Sequence, residues 1–316
     1  MPQIGHNGHD QAMTTTATAA DPLTSQAPIP VYGRVSREQI DIEALRRCCT
    51  DGSLEMVYQP ELDLDTGAIV AMEGLLRWRD RTLGLLQPAD FLYLAIECGV
   101  MVDIDAWVLR AGAAQAADWQ TLPGPARTVW LNVSLAQLRA HWFVQSVTDA
   151  VREFGLAPGV LGLEISERAI LDLGANARPL LAQLRQAGVS LAIDNFTSYY
   201  ATLGAISALP IDCVKVGQRF IRGVGEPEHN DSFISSVIEQ AHARGIYVVA
   251  EAVETWAESA RLTELGCDRA HGFLFASAQR PDRARWLLTQ GTGWRGTAVT
   301  PEVQAIPFPS PPHIAS

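Results

Sequence analysis

Short apolar runs alternate along the chain with longer amphipathic stretches. Eight of the apolar runs have the length of strands: LEMVYQP, AIVAMEGLL, RTVWLNVS, VLGLEIS, VSLAIDN, IDCVKVG, IYVVAEAV and CDRAHGFLF. Helices of roughly 10–15 residues between most of them would give βα units and a parallel sheet that is buried on both faces. Eight strands in one domain favour a closed TIM-type (β/α)8 barrel of the α/β class over an open sheet. The first two runs leave no room for a crossover helix, so we expect a hairpin and an antiparallel first strand.

Both ends of the chain lack this periodicity. Residues 1–35 are rich in Thr, Ala, Gln, Gly and Pro, and residues 294–316 are rich in Pro. Neither stretch can bury enough apolar surface to offset its ordering entropy, so we predict two disordered tails around a barrel domain at 36–293. The sequence shows no signal peptide and no apolar run of about 18 residues, and its five cysteines are scattered. We therefore expect a cytoplasmic protein that does not bind membranes.

The charge of the chain restricts its partners. The 316 residues are 47% hydrophobic and include 35 acidic and 24 basic residues, for a net charge of −11. A surface this negative repels polyanions, and no basic stripe interrupts it, so we exclude duplex nucleic acid as a partner. A small anionic ligand would need metal ions or a few placed Arg and Lys side chains.

A polar side chain lies near the carboxyl end of each of seven successive runs. In a barrel these ends meet on one face, where catalytic residues collect. Four carboxylates at one mouth would repel one another unless cations neutralise them, and such hard oxygen ligands favour Mg²⁺, Mn²⁺ or Ca²⁺ over zinc. A solvated acidic rim is the alternative that the pattern leaves open. The seven residues are Glu73, Asn132, Glu164, Asp194, Lys215, Glu251 and His271.

These residues lie in a series of recognisable motifs. YQPELDLDTGAIVAMEGLLRW is followed in order by QPADFLYLAIECGVMVDIDAWVL, WLNVS, LEISE, LAIDNF, LPIDCVKV, VVAEAVET and LGCDRAHGF. Together they resemble the EAL family of cyclic di-GMP phosphodiesterases over about residues 40–290, with Glu73-Gly74-Leu75 in place of Glu-Ala-Leu. The resemblance implies a barrel with an antiparallel first strand and metal-dependent hydrolysis of cyclic di-GMP to linear pGpG.

The resemblance also implies roles for individual residues. Two Mg²⁺ or Mn²⁺ ions would lower the pKa of a bridging water and neutralise the phosphate oxygens, and Ca²⁺ is expected to inhibit. The implied metal ligands are Glu73, Asn132, Glu164, Asp194, Asn195 and Glu251. The implied catalytic residues are Glu251, as a base, and Lys215, as a contact to the attacking water. Substrate binding is implied for Gln59, Arg77 and Asp212, and a supporting role for Glu167, Glu254 and His271.

Four positions depart from the family pattern. Asn195 replaces a second aspartate, which predicts a weaker second metal because an amide attracts a divalent ion less than a carboxylate does. Residues 197–202 replace a loop with two glycines, so positive φ becomes costly there. Gly217 stands in place of an aspartate, and His271 in place of a glutamine. His271 could ligate a metal, hydrogen-bond a neighbour or fill space as a neutral imidazole, and we favour the last two.

Two functions are consistent with this sequence. The leading hypothesis is a cyclic di-GMP phosphodiesterase with reduced turnover, because the principal ligands, Lys215 and Glu251 are all present. The alternative is a catalytically inactive EAL domain that acts as a cyclic di-GMP receptor or regulates a protein partner, because two acidic residues are lost. The family commonly dimerises beside the altered loop, so a homodimer is one expected state, on a surface that Tyr199 and Tyr200 change.

Overall fold

The structure is a computed structural model that describes residues 35–197, 209–226 and 231–290. Within these residues, nine strands form one sheet in the order β1-β9-β8-β7-β6-β5-β4-β2-β3, and an additional pairing of β1 with β2 closes it. The strands are β1 (Leu54–Asp63), β2 (Ile69–Asp80), β3 (Gly84–Leu86), β4 (Thr128–Val133), β5 (Leu161–Ser166), β6 (Ser190–Phe196), β7 (Cys213–Val216), β8 (Tyr247–Ala250) and β9 (Arg269–Ala270).

Helices follow most strands, as the amphipathic stretches predict. The described α-helices are α1 (Ile42–Arg47), α2 (Pro88–Glu97), α3 (Met101–Gln120), α4 (Leu135–Arg139), α5 (Phe143–Glu153), α6 (Glu167–Leu173), α7 (Ala177–Gln186), α8 (Gln218–Ile221), α9 (Ser232–His242), α10 (Trp256–Glu264) and α11 (Pro281–Gln290). Two short 3₁₀ helices, Arg37–Gln39 and Gly174–Asn176, complete the secondary structure of this part of the chain. No helix within it is long and apolar enough to cross a membrane.

The direction of the strands confirms the predicted barrel. β1 runs antiparallel to both of its neighbours, β2 and β9. The other barrel strands pair in parallel from β2 through β4 to β9, and the short β3 extends β2 outside the closed ring. The result is a closed eight-stranded barrel whose first strand is antiparallel, as the closely spaced first two runs predict.

Side-chain size determines how the barrel interior is filled. Trp130 on β4 is fully buried and packs against small residues on other strands, among them Ala71, Ala192 and Cys213. Gly162 on β5 makes room for its indole, because a Cβ atom there would overlap the six-membered ring. The strands thus enclose a packed interior, with the polar mouth above it.

Helix caps fix the ends of two strands that lead to the mouth. Ser134 follows β4 directly and accepts a hydrogen bond from the backbone N–H of Gln137, which caps α4. Ser166 ends β5 and accepts one from the backbone N–H of Ala169, which caps α6. An N-cap of this kind stabilises a helix by about 1 kcal/mol and holds the preceding residues in extended conformation. Asn132 and Glu164 each lie two residues before such a cap.

One predicted strand is shorter in the structure than in the sequence analysis, and several predictions concern residues that the structure does not describe. The last predicted strand, CDRAHGFLF, is a strand only at Arg269–Ala270, so His271 lies just beyond it. Residues 1–34 and 291–316 lie outside the described residues, and so do Tyr199 and Tyr200 of the altered loop. The two disordered tails, the boundaries at 36 and 293 and the dimer surface therefore stay predictions.

Candidate active site

The carboxyl ends of the barrel strands bring the seven predicted polar residues to one mouth. Glu73 lies in the part of β2 that pairs with β4, and the next four residues lie in the carboxyl-terminal halves of their strands. Glu251 and His271 directly follow theirs, and contacts between the side chains link the group across the barrel. The seven residues are Glu73 on β2, Asn132 on β4, Glu164 on β5, Asp194 on β6, Lys215 on β7, Glu251 after β8 and His271 after β9.

Lys215 lies at the centre of this group and is fully buried. Its Nζ forms an ion pair with Oε1 of Glu164 and lies 4.0 Å from Oε2 of Glu73 and 3.7 Å from Oε2 of Glu61. Burial alone would lower the pKa of Lys215, but the charges of Glu164, Glu73 and Glu61 outweigh it and hold this pKa well above its usual value. Lys215 is therefore a fixed positive charge among the carboxylates.

Burial disfavours the ionised forms of Glu164 and Asp194. Burial raises the pKa of Glu164 well above its usual value, and the ion pair with Lys215 offsets this only in part. Burial also raises the pKa of Asp194 to about 7, with a further contribution from the charge of Glu251. A divalent cation bound here would displace protons from these groups and relieve their mutual repulsion.

Glu251 and His271 form a hydrogen-bonded pair beside Glu73. Nε2 of His271 lies 3.3 Å from Oε1 of Glu251 and 3.8 Å from Oε2 of Glu73. Burial works against ionisation of both groups, yet the hydrogen bond between them and nearby charges outweigh burial: the pKa of Glu251 lies below its usual value and the pKa of His271 above it. The predicted hydrogen bond of His271 is present, whereas its neighbours favour the charged imidazolium over the neutral ring that we expected.

The two asparagines of the site differ in orientation. Nδ2 of Asn132 donates a hydrogen bond of 3.2 Å to Oε1 of Glu73, so its oxygen remains available as a ligand. Asn195 adopts a positive φ of 48°, and its backbone N–H donates to Oδ1 of Asp194 at 2.8 Å. Oδ1 of Asn195 is directed at Gly217, where an added Cβ atom would overlap it. The family's two aspartates at these positions are thus replaced by a pair that fits together sterically.

A cavity of about 320 Å³ opens beside these residues. Gln59 lies in its wall, next to Glu73 across the β1–β2 ladder, and its Nε2 donates to the carbonyl of Ala276 at 3.0 Å. Phe273, which is 68% exposed, forms part of the rim. An exposed aromatic ring beside a pocket on which several polar side chains converge is consistent with a small-molecule site.

Of the other predicted substrate contacts, the structure brings only Arg77 to the mouth. Arg77 lies on β2 beyond Glu73, and its Nη1 donates to the carbonyl of Leu76 at 2.7 Å. Burial lowers the pKa of its guanidinium, an effect that Glu73 and Glu55 oppose.

Asp212 lies at the opposite end of the barrel, just before β7 begins. Its carboxylate pairs with Arg185 and accepts a hydrogen bond of 2.8 Å from the backbone N–H of Leu191. The substrate contact expected of Asp212 is thus inconsistent with its position, because a residue at the amino end of a strand faces away from the mouth.

The two acidic residues expected to support the site differ in their contacts. Glu167 is buried, and its Oε2 accepts hydrogen bonds from the backbone N–H of Thr197 at 2.9 Å and from its Oγ1 at 3.3 Å. It therefore ties the start of α6 to the segment after β6. Glu254 lines the cavity, and its backbone N–H donates to Oε2 of Glu258 at 2.9 Å.

Glu61 and Arg269 are two charged residues of the interior that our sequence analysis missed. Glu61 is 1% exposed, and its Oε1 accepts a hydrogen bond of 3.0 Å from Nη1 of Arg269. The strand period of two offered a signal, since Glu61 follows Gln59 by two residues and so points into the barrel as well. A buried carboxylate at that position requires a cation nearby.

The donor set of the mouth fits a hard divalent cation. The candidates supply carboxylate and amide oxygens, and Oε2 of the buried Glu164 has no hydrogen-bond partner in the described part of the chain. Within residues 35–197, 209–226 and 231–290, no three His, Cys, Asp or Glu side chains form a ready-made cluster. The reason is visible at Glu164, whose Oε1 already pairs with the ammonium of Lys215.

Comparisons with known proteins agree with this site. The chain matches the EAL domain over residues 42–278. It is 36% identical over 264 residues to an uncharacterized protein of Mycobacterium tuberculosis, Rv1354c, a match that covers 83% of this chain and 42% of that protein. It is 35% identical over 243 residues to the cyclic di-GMP phosphodiesterase NbdA of Pseudomonas aeruginosa, covering 77% of this chain and 31% of that protein.

A solved structure extends the comparison to the fold. The PaMucR phosphodiesterase in complex with c-di-GMP has a TM-score of 0.72 and 29% identity, and the match covers 77% of this chain and 98% of that one. The match thus spans less than half the length of the two curated relatives but nearly the whole of this solved chain. With the barrel, the mouth and the sequence match in agreement, the chain belongs to the EAL domain family.

Proposed function

We propose that this chain is a phosphodiesterase that hydrolyses cyclic di-GMP to linear pGpG, with a weakened active site. The observation that carries this proposal is the convergence of Lys215, Glu251 and the oxygen donors on one mouth beside a cavity. A barrel kept only for contacts with a protein would not need five buried or half-buried polar groups aimed at one point, because burying each of them costs stability. Three curated relatives from Pseudomonas aeruginosa are named cyclic di-GMP phosphodiesterases: NbdA, PA2567 and RocR.

The residues that would hold a divalent ion are the oxygen donors of the mouth. When bound, Mg²⁺ or Mn²⁺ lowers the pKa of a water and neutralises charge on the phosphodiester. Ca²⁺ prefers more ligands at longer distances, so we expect it to bind without supporting turnover. The donors are Glu73, Asn132, Glu164, Asp194 and Glu251, with the neutral Asn195 as a weak sixth.

The chain's own residues place and deprotonate the attacking water. Lys215 is a buried, permanently charged donor, so it can hold the water oxygen and stabilise negative charge as the water loses its proton. Glu251 is held ionised by His271, so it can accept that proton at neutral pH. Gln59 in the cavity wall would contact the dinucleotide, and Arg77, farther along β2 and close enough to feel the charge of Glu73, would contact a phosphate oxygen.

The residues at two positions favour weakened turnover and are also consistent with a second function. Asn195 and Gly217 remove two carboxylates from the side of the mouth that would hold a second ion. A catalytically inactive receptor for cyclic di-GMP that signals through a protein partner would follow if this loss abolishes turnover. A homodimer is compatible with both functions.

Incubation of the purified protein with cyclic di-GMP and either Mg²⁺ or Mn²⁺ tests the proposal, with chromatographic detection of pGpG. We expect product that disappears with a chelator and with Glu73→Ala, but not with Glu153→Ala, whose carboxylate pairs with Arg110 on the outer surface. Binding of cyclic di-GMP in Ca²⁺ without product in Mg²⁺ or Mn²⁺ would establish the receptor instead. Neither binding nor product would exclude both functions.

A further inference from the structure

A buried ion pair lies directly beneath the mouth. Glu61 on β1 is 1% exposed, and Nη1 of Arg269 on β9 donates to its Oε1 at 3.0 Å. The guanidinium of Arg269 lies over the ring of Tyr247 at 3.8 Å, which fixes its plane. The carboxylate of Glu61 therefore has a defined orientation inside the barrel.

The second oxygen of Glu61 faces Lys215. Oε2 has no hydrogen-bond partner among the described residues and lies 3.7 Å from Nζ of Lys215. The same ammonium pairs with Glu164 and lies 4.0 Å from Glu73. Lys215 thus has Glu61 within reach as a second carboxylate partner, and a movement of about 1 Å would complete a hydrogen bond to it.

The ammonium and a divalent ion compete for the same oxygens. An ion held by Glu73 and Glu164 needs the lone pairs that Lys215 now faces. A buried ammonium displaced without a new partner is strongly unfavourable, and that cost would be lost from the affinity for the ion. Glu61 supplies such a partner within the barrel, so Lys215 need not leave its buried position.

We propose that Glu61, oriented by Arg269, is a positioning residue that receives the ammonium of Lys215 when a divalent ion occupies the carboxylates of Glu73 and Glu164. This inference rests on the proposed metal dependence of the site. The inference gives the ion pair between Glu61 and Arg269 a role in the binding of the divalent ion. It also makes the affinity for the ion depend on a residue that does not touch the ion.

Titration of the full-length protein with Mn²⁺, followed by the electron paramagnetic resonance signal of the free ion, tests this role without reference to turnover. We expect Glu61→Gln to weaken Mn²⁺ binding about tenfold, equivalent to ~1.4 kcal/mol. In a Lys215→Met background there is no ammonium to relocate, so Glu61→Gln should change the affinity less than about twofold. Equal weakening in both backgrounds would overturn the proposal, because it would mean that Glu61 acts only through its charge.

Two further variants separate position from charge. Glu61→Asp keeps the charge but withdraws the carboxylate by one methylene, so we expect weakened binding, whereas an effect of charge alone would leave the affinity unchanged. Arg269→Gln removes a positive charge and should tighten binding if charge alone matters. We expect it to weaken binding instead, because Glu61 loses its orientation, and tighter binding would contradict the proposal. Thermal unfolding of each variant identifies any that fail to fold, and the Glu61→Asp result then decides.

The possible outcomes of these experiments distinguish this inference from the proposed function. Coupled Mn²⁺ binding without any pGpG would support the role of Glu61 while refuting the phosphodiesterase. Product formation with uncoupled Mn²⁺ binding would support the enzyme and refute the role of Glu61. Wild-type protein that binds no Mn²⁺ would overturn both.

Discussion

Oδ1 of Asn195 occupies the space that a Cβ atom at position 217 would need, and position 217 is a glycine. The two departures from the family's aspartates are therefore sterically linked. Asn195 adopts a left-handed φ of 48°, a conformation that asparagine and aspartate tolerate better than other side chains. Position 195 can thus regain a carboxylate without backbone change, whereas position 217 cannot gain any side chain unless its neighbour moves.

This link predicts opposite outcomes for the two reversions. Asn195→Asp should tighten Mn²⁺ binding about tenfold and raise the rate of pGpG formation, because a carboxylate attracts the ion more strongly than an amide. Gly217→Asp alone must displace the end of the flexible Asn195 side chain, so it should destabilise the fold by no more than about 1 kcal/mol, the low end of the usual cost of overpacking, and should not raise the rate. Titration with Mn²⁺, turnover assays and urea unfolding measure these effects.

Gly217→Ala is the matched control for size without charge. It should destabilise the fold about as much as Gly217→Asp, since both place a Cβ atom against Asn195. A fully stable Gly217→Ala variant would show that Asn195 moves freely. Zero turnover in Asn195→Asp would refute the idea that the site is merely weakened.

His271 should determine the pH below which kcat/KM falls, the acid limb of the pH–rate profile. His271 holds the pKa of Glu251 below its usual value through their hydrogen bond, against the effect of burial. In His271→Gln this support is reduced, so the pKa of Glu251 should rise and the ionised base should be lost at higher pH than in the wild type. We expect the acid limb of kcat/KM to move up by about one pH unit.

Rate profiles from pH 5 to 8 measure this shift. Should turnover be too low, the pH dependence of Mn²⁺ binding gives the same information. His141→Gln is the matched control, because His141 is exposed and lies outside the mouth. An unchanged acid limb in His271→Gln would mean that His271 only fills space.

Asp105 on α3 should make the stability of the fold depend on pH. It is 7% exposed, and burial raises its pKa to about 7, which the contact of 3.5 Å with Oγ of Ser134 offsets only slightly. In the unfolded chain its pKa is about 4, so the folded protein binds this proton more tightly. The contribution of Asp105 to stability therefore falls as the pH rises from about 4 to about 7, and is constant above that range.

Asp105→Asn should remove the loss of stability that Asp105 causes as the pH rises. At pH 8 the variant should be more stable than the wild type by about 1–3 kcal/mol, whereas at pH 4 the two should be nearly equal. Urea unfolding at both pH values measures the difference, with Asp103→Asn, an exposed change on the same helix, as the control. Equal stabilities of Asp105→Asn and the wild type at pH 8 would contradict the effect of burial.

The sequence predicted the parts of the site that depend on strand ends. Glu73 and Asn132 follow from the rule that the carboxyl ends of parallel strands share one face, which needs only the order of strands. The same rule should have excluded Asp212. It precedes Lys215 by three residues, about 10 Å along a strand, so the two cannot both lie at the mouth.

The remaining features of the site depend on contacts between distant residues, which no local sequence pattern contains. The hydrogen bond of Glu61 with Arg269 joins residues 208 apart in sequence, across the antiparallel pair of β1 and β9. The fit of Asn195 against Gly217 depends on a single backbone φ angle, which a pattern of apolar and polar residues does not encode. Both contacts form only after the strands have been placed, so they were beyond prediction from the sequence.

Gly162 should be hard to replace, because a Cβ atom there would overlap the indole of Trp130, which fills the space beneath the mouth. Gly162→Ala should destabilise the fold by about 1–3 kcal/mol. Trp130→Phe removes part of the overlapping ring system and leaves a cavity that the added methyl group can fill. The double variant should therefore be more stable than the sum of the two single losses predicts, by at least about 1 kcal/mol in urea unfolding. Simple additivity would show that Cγ2 of Thr128, which the added methyl group also meets, opposes it more than the ring of Trp130 does. Lys215 lies 5.6 Å from that ring, so the double variant also tests the packing beneath Lys215.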